Sequence, residues 1–456
     1  MTTAPRLARR VPVPRTWPIR AGDVVALVLG NGALILAMWI RHGGPTELSS
    51  PAGTFTAIGE LTALFGTYAV LLELVLMSRS PWLEQLFGMD RLAVIHRWLG
   101  FAAIWLIAAH GVFTTVGWGM SEGRSVVDEA WTLLTTYPFV LMTTVGMALF
   151  IAIGISSMRA ARLRLPYEAW HGIHLYAYLA IALTFAHQLV LGTDFATDPV
   201  ARIYWSALYV LVVGLILAFR FGAPVRLSLR HRLRVVNVVR EAPGIVSVYV
   251  SGRELDRLAV RAGQYFQWRF LARDGWWRAH PYSLSAAPNG MWLRLTAKGL
   301  GEDSRSLAAL PIGTRVFVEG PYGTLTADRR SRRRVLLIAG GIGITPLRAL
   351  FEELPAGPGE ITLLYRARRA VDVVFRDEID TIARLRGATV HYLIGQRGVD
   401  VAHDPLAAAA IRGLVPDIAQ RDVYVCGSDA MMEAVSRSLR ALHLPGSRIH
   451  TERFGY

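Results

Sequence analysis

Four histidines stand out because of their setting. His96 and His110 lie in the apolar stretch RLAVIHRWLGFAAIWLIAAHGVFTTVGW, and His174 and His187 bound the stretch HLYAYLAIALTFAH. Imidazole nitrogens need partners in hydrocarbon, and neutral imidazole is a good iron ligand. At 1.5 Å rise per residue the two steps span about 21 Å and about 20 Å of helix. If both helices begin at the same membrane face, His96 is level with His174 and His110 with His187. Two axial imidazoles complete a six-coordinate haem iron and leave no open position for oxygen. The alternative is that each ring hydrogen-bonds to a neighbouring helix or lines a polar cavity. At 100° per residue the first step returns nearly to one face, whereas the second misses by about 140°. The second helix should therefore bend, bulge or present its histidines on different sides. His171 is a rival to His174 as the inner residue, with no better angular match.

A second set of candidates follows residue 222. HPYSLSAAPNG begins at His280, and HPYS read alone is a turn after a strand. LRLTAKGLGEDSRSL reads as a strand, a glycine turn after Lys298 and Gly299, and a helix start at Ser304. Its G-x-x-S step, Gly301 to Ser304, offers backbone N–H groups suited to a pyrophosphate. In RRRVLLIAGGIGITPLRALFEEL a buried strand, a glycine turn and a helix follow one another. Gly340, Gly341 and Gly343 let the backbone approach a phosphate at a helix N-terminus. The loop is not G-x-G-x-x-G, with Thr345 in the stretch where a helix-packing glycine is expected. Later strands (ITLLYRARR, TVHYLI, DVYVCGSD) alternate with helical segments, as in a doubly wound parallel sheet. Arg366 and Arg368, just past the second strand, suit a 2′-phosphate and so favour NADPH over NADH, or form a solvated charge run.

These residues need elements to hold them. The chain has 456 residues, 53% of them hydrophobic, and a mean hydropathy of +0.35. The apolar excess lies before residue 222, in six stretches near 23–40, 52–78, 91–118, 138–158, 167–192 and 200–221. Arg79 and Arg91, then Arg159, Arg162 and Arg164, then Arg220 and Arg226 mark one side as cytoplasmic. Glu47, then Glu122, Asp128 and Glu129, then Asp194 and Asp198 mark the other. Both termini are then cytoplasmic, and the basic, proline-interrupted segment 1–22 reads as a retained tail. Beyond it the period falls to two over about 223–327, which predicts a small antiparallel barrel, and 328–456 carries the doubly wound pattern. A single cysteine, Cys426, excludes a disulfide framework and a multi-cysteine metal site. Taken alone it is a small buried residue at a strand end. The net charge of +15 is spread over helix ends and the last domain, not one stripe, which argues against nucleic acid.

In order, the paired histidines, HPYS, GGIGITP, VCGSDAMM and the aromatic terminus TERFGY make the chain resemble the ferric reductase / NADPH oxidase superfamily in a bacterial form. The resemblance covers nearly the whole chain from residue 23. It implies a membrane all-α six-helix bundle fused to an antiparallel β-barrel flavin domain and an α/β doubly wound nucleotide-binding domain. His96 with His174, and His110 with His187, would each hold a haem b. His280, Pro281, Tyr282 and Ser283 match the FAD motif, with Lys298, Gly299, Gly301 and Ser304 in the same cofactor set. Gly340, Gly341, Gly343, Thr345 and Pro346 match the NAD(P)H loop. Cys426 and Gly427 match the step beside the nicotinamide, and Phe454, with Tyr456 as competitor, the aromatic that shields the flavin. Thr114 stands where oxygen-reducing members often carry a further histidine. The implied activity carries electrons from cytoplasmic NADPH or NADH through FAD and two haems to a ferric complex or molecular oxygen outside a bacterial cytoplasmic membrane. The connection 119–137, with Trp118, Glu122, Asp128, Glu129 and Trp131, is the longest candidate lid for that acceptor; carboxylates in such a loop are usually solvated. A membrane-anchored flavin reductase, a quinone-linked cytochrome b and a transporter are the competing classes.

Overall fold

Long apolar runs become helices in a bilayer because only there does each backbone N–H find a carbonyl within its own segment. The computed structural model describes residues 19–192, 198–272, 278–299, 306–395 and 404–453. Six of its helices are long and apolar enough to cross a membrane. They are α1 (Ala21–Arg41), α2 (Pro51–Leu76), α3 (Met89–Glu122), α4 (Val140–Ser157), α5 (Tyr167–Leu191) and the helical run Pro199–His231, which opens with α6 (Pro199–Leu215). Two starts are set locally by a capping side chain followed by proline. Ser50 accepts a hydrogen bond from the Gly53 N–H ahead of α2, and Asp198 accepts one from Val200 ahead of α6.

Glycines bring α2 and α3 close. A Cβ on Gly59 would lie 2.5 Å from the Thr114 hydroxyl, and one on Gly117 2.5 Å from that of Thr56.

The structure departs from the sequence reading in two places here. The chain does not leave its helix near residue 221. It continues through a π-helical stretch, Ile216–Gly222, into a helix from Ala223 to His231, so these residues do not belong to the antiparallel sheets. Pro224 lacks an N–H and crowds the carbonyl four residues earlier, which accounts for the widened turns before it. For the fifth helix the structure takes the last of the expected alternatives: α5 runs as α-helix without a π or 3₁₀ interruption, so its two histidines leave on different sides. The connection after α3 is largely a helix, Val126–Thr136, capped by Ser125. Within it Glu129 is buried and paired with Arg124 rather than solvated.

The second compact unit holds Phe221–Tyr456, while Pro18–Phe87 and Arg91–Arg220 form the first. β1 (Arg234–Ala242), β2 (Ile245–Ser251) and β5 (Leu293–Lys298) form one antiparallel sheet in the order β1-β2-β5. β3 (Tyr265–Phe270), β4 (His280–Ser283) and β6 (Val316–Tyr322) form another in the order β4-β3-β6. Single bridges, Leu284 to Leu295 and Arg234 to Arg315, link the two, and Val248, Phe266, Trp268 and Leu295 share their core. HPYS is thus a strand and not a turn. Pro281 is tolerated because β4 is an edge strand, where one side of the ladder needs no donor.

The remaining strands are parallel: β7 (Arg334–Gly340), β8 (Ile361–Ala367), β9 (Thr389–Ile394), β10 (Arg421–Gly427) and β11 (Ile449–Arg453), in the order β11-β10-β7-β8-β9. Helix α7 (Ile344–Glu353) follows β7, α8 (Arg376–Arg386) follows β8 and α9 (Asp429–Ala441) follows β10. Leu347, Leu350 and Ile379 fill one face of the sheet, and Met432, Val435 and Leu439 the other. The strand order reverses between β7 and β10, the place where such sheets bind ligands.

Candidate functional site

In the membrane unit the four histidines meet as two pairs. The rings of His96 on α3 and His174 on α5 are 5.8 Å apart between centroids and steeply inclined, at 73°. Those of His110 and His187 are 6.3 Å apart and inclined by 27°. His174 and His187 leave α5 in directions about 140° apart, yet each reaches its partner on α3. His171 lies beside Trp170, at 6.5 Å between centroids.

The second nitrogen of most of these rings is already engaged. His110 Nδ1 donates to the Gly59 carbonyl at 3.0 Å, with the Thr114 hydroxyl at 3.2 Å. His187 Nδ1 donates to the Thr184 carbonyl at 2.7 Å, with the Thr143 hydroxyl at 3.0 Å. A carbonyl can only accept, so Nδ1 carries the proton and Nε2 keeps its lone pair. His96 Nδ1 faces the carboxylate of Glu73 on α2. Carbonyl or carboxylate partners on the far nitrogen are the usual support of metal-bound histidine. The spacing also suits a metal. With bonds of about 2 Å to each imidazole nitrogen, two rings flanking one ion place their centroids about 6 Å apart. The donor set therefore fits two bis-imidazole haems. Glu73 was not among the residues read from sequence, although a lone carboxylate inside the apolar run LLELVL is itself a signal.

In the other unit, β7 and β10 end side by side. A Cβ on Gly343 would lie 2.3 Å from the Cys426 carbonyl oxygen and 2.7 Å from the Gly427 nitrogen. One on Gly340 would lie 2.0 Å from the Met431 sulfur, and one on Gly427 would lie 2.8 Å from it. Gly341 has φ +54°, in the left-handed region. Thr345 is buried, and its hydroxyl donates to the Ile342 carbonyl at 3.0 Å, closing the turn. Pro346, in the first turn of α7, replaces an N–H that has no intrahelical partner there. The crevice thus brings Gly340, Gly341, Gly343, Thr345 and Pro346 together with Cys426 and Gly427.

Cys426 is fully buried, and its thiol donates to the Glu452 carbonyl. Burial, helped by the Glu452 charge, pushes this thiol well above its ordinary value. A group so shifted stays protonated and inert through the range where a free cysteine ionises. Native protein at pH 8 to 9 is expected to resist iodoacetamide, with labelling only after unfolding; mass spectrometry of the Cys426 peptide checks this.

The flavin-motif residues lie on β4. His280 and Tyr282 share one face, with ring centroids 6.1 Å apart, and Ser283 is buried. Trp268 donates from its indole to the Tyr282 carbonyl at 2.9 Å. Lys298 is exposed at the end of β5, and the Gly299 N–H donates to Gly244 at 2.7 Å. Gly301, Ser304 and Phe454, with Tyr456, lie outside the described residues. Arg366 directs Nη1 to the Ala367 and Leu393 carbonyls at 2.7 and 2.8 Å, while Arg368 is exposed beside it.

Comparison with known proteins adds to this geometry. Residues 62–185 match the family described as ferric reductase like transmembrane component, and residues 337–437 the oxidoreductase NAD-binding domain. Ferredoxin–NADP reductase B of Sorangium cellulosum is 32% identical over 189 residues, which is 38% of this chain and 77% of that protein. The glycine betaine monooxygenase reductase subunit of Chromohalobacter salexigens is 27% identical over 241 residues; the match takes in 50% of this chain but only 64% of that protein's length. Among solved structures, the FAD/NAD-binding domain of the Vibrio cholerae nitric oxide dioxygenase is 25% identical, with a TM-score of 0.39 over 50% of this chain and 100% of that one. The chain belongs to the ferric reductase / NADPH oxidase superfamily, as a ferric reductase-like transmembrane component fused to an NAD(P)H-dependent oxidoreductase of the ferredoxin reductase type.

Proposed function

We propose that this protein carries electrons from NAD(P)H through FAD and two b-type haems across a bacterial cytoplasmic membrane to an acceptor on the outer side, a ferric complex or molecular oxygen. The observation that carries the reading is the stacking of two histidine pairs along α3 and α5, with the outward nitrogens of His110 and His187 held by carbonyls. Bound flavin would supply the conversion of a two-electron hydride into single electrons, and haem would supply a one-electron carrier.

The chain's own residues supply binding and orientation. His96, His110, His174 and His187 would hold the irons, with Glu73, Gly59 and Thr184 fixing the ring tautomers. The strand His280–Ser283 presents an aromatic face and a hydroxyl to the flavin. The glycine crevice accepts the dinucleotide pyrophosphate at the α7 N-terminus, where the orphan N–H groups and the dipole favour an anion. The exposed Arg368 supports NADPH as the donor, with Arg366 already committed in part to carbonyls. We take 23–222 as the haem domain, 223–327 as the flavin domain and 328–456 as the nucleotide domain, with 1–22 a cytoplasmic tail. The two single bridges between the antiparallel sheets support reading them as one barrel. The arginine-rich connections support cytoplasmic termini.

Purified protein is expected to show a haem b spectrum that NAD(P)H develops anaerobically to the same extent as dithionite. A flavin that NAD(P)H reduces beside a haem it never reduces would reject the route. Failure of dithionite to reveal any haem would reject the histidine assignment.

A further inference from the structure

Arg294, on β5, is 2% exposed, yet no role read from the sequence uses it. Its guanidinium is fully engaged. Nε donates to the Ser285 hydroxyl at 3.1 Å and Nη2 to the Ser285 carbonyl at 2.7 Å. Nη1 and Nη2 grip the two oxygens of Glu378, on α8, at 2.8 and 2.9 Å. Glu378 also takes Arg348, on α7, at 2.8 Å. Burial alone would raise the Glu378 carboxyl, but the Arg294 hydrogen bonds and the Arg348 charge outweigh it and hold it below its ordinary value.

The clamp spans both candidate cofactor motifs. Ser285 lies just beyond the strand His280–Ser283, whereas Arg348 lies on the helix that begins at the glycine crevice. The next turn of α7 repeats the connection. Glu352 pairs with Arg348 and accepts the Ala287 N–H at 3.0 Å, and Glu353 accepts the Ala262 N–H at 3.0 Å. Strain marks the same place: Phe375, whose ring lies 4.4 Å beneath the Arg294 guanidinium, has φ +62°. A β-carbon residue persists there only where its surroundings hold it.

We propose that Arg294, acting through Glu378 and Arg348, is a positioning residue that fixes the flavin-motif strand against the nucleotide loop, so that the clamp governs hydride transfer and not the affinity for either cofactor. This rests on the proposed reading of the two motifs. In that step a C–H bond of the dihydronicotinamide breaks and its hydride passes to the flavin. The nicotinamide is oxidised and the flavin reduced by the same two electrons. Arginine suits the task because its planar fork fixes direction as well as distance, which a lysine ammonium does not.

The test uses full-length, FAD-loaded protein under anaerobic conditions. Wild type, Arg294→Lys and Glu378→Gln are mixed rapidly with saturating NADPH or NADH, and flavin bleaching is followed. The rate at saturation is expected to fall by about 100-fold if the motifs shift by about 1 Å. Flavin retention and the half-saturating nucleotide concentration should stay as in wild type. The isotope effect with nucleotide deuterated at the transferred position should rise, because the hydride step has become the slow one. Bleaching at the wild-type rate in FAD-retaining Glu378→Gln overturns the proposal, as does a rate loss that only follows lost FAD. A wild-type flavin that neither nucleotide bleaches removes the electron route and the clamp with it, whereas equal bleaching in wild type and variants removes the clamp alone.

Discussion

His187→Ala and His174→Ala are each expected to lose one haem and to abolish electron delivery to an external acceptor, while NAD(P)H still reduces the flavin at the wild-type rate. The reason is separation of parts. The histidines belong to the membrane unit, whereas the glycine crevice and the β4 strand belong to the other. Each histidine pair would hold one haem, and no backbone group could replace the imidazole nitrogen that the substitution removes. The pyridine haemochrome content should fall from two haems per chain to one. Substituting the supporting groups is expected to do less. Glu73→Gln leaves a hydrogen-bond partner for His96 but removes the charge, and mutation of such a supporting group typically costs about 10- to 100-fold in metal affinity. If His187→Ala retained both haems, the pairing with His110 at 6.3 Å would be packing alone.

The other large effect belongs to Gly343→Ala. A new Cβ would lie 2.3 Å from the oxygen and 2.5 Å from the carbon of the Cys426 carbonyl group. Both are backbone atoms within a parallel sheet, so neither can swing aside as a side-chain tip does. The loop must instead lift from the end of β10. Overpacking of this kind costs roughly 1–3 kcal/mol, and a nucleotide displaced by about 1 Å loses about 100-fold in rate. NAD(P)H-driven flavin reduction should therefore collapse while the dithionite-reduced haem spectrum stays intact. Gly446→Ala is the control, since nothing lies within 4 Å of its Cβ and its φ is not in the left-handed region. Gly341→Ala should fall between them. It meets no neighbour within 4 Å but must hold φ +54°, at a cost of about 1–2 kcal/mol. Rapid mixing for the flavin and thermal unfolding for stability would rank the three.

Much of this architecture is legible in the sequence because its signals are local. Runs of apolar residues name six membrane-length helices, and the change from a long apolar run to alternation at Leu233 marks the strands. The strand–glycine–helix pattern of VLLIAGGIGITP names a nucleotide crevice, because a tight turn and a close phosphate each require a missing Cβ. Equal depth of two histidines on each of two helices is likewise a matter of counting residues.

Other features depend on what lies across a contact, which residue order does not state. HPYS looks like a turn because proline breaks a ladder, and it becomes a strand because β4 falls at a sheet edge. The 13-residue step of α5 leaves open a bend, a bulge or histidines on different sides, and only the fold selects the last: α5 runs as uninterrupted α-helix. Glu129 looks solvated in an acidic loop and is instead buried against Arg124. Glu73 and Arg294 gain meaning only from the partners that folding brings to them, His96 in one case and Glu378 in the other. The sequence by itself determined the classes of element, the order of motifs and the chemistry of each candidate ligand, since these follow from period, composition and side-chain type. Only the tertiary structure decided which imidazole faces which, which nitrogen of His110 and His187 is left free, and how the flavin strand is tied to the nucleotide helix. Those outcomes rest on the short-range geometry of hydrogen bonds and ion pairs between residues far apart in the chain.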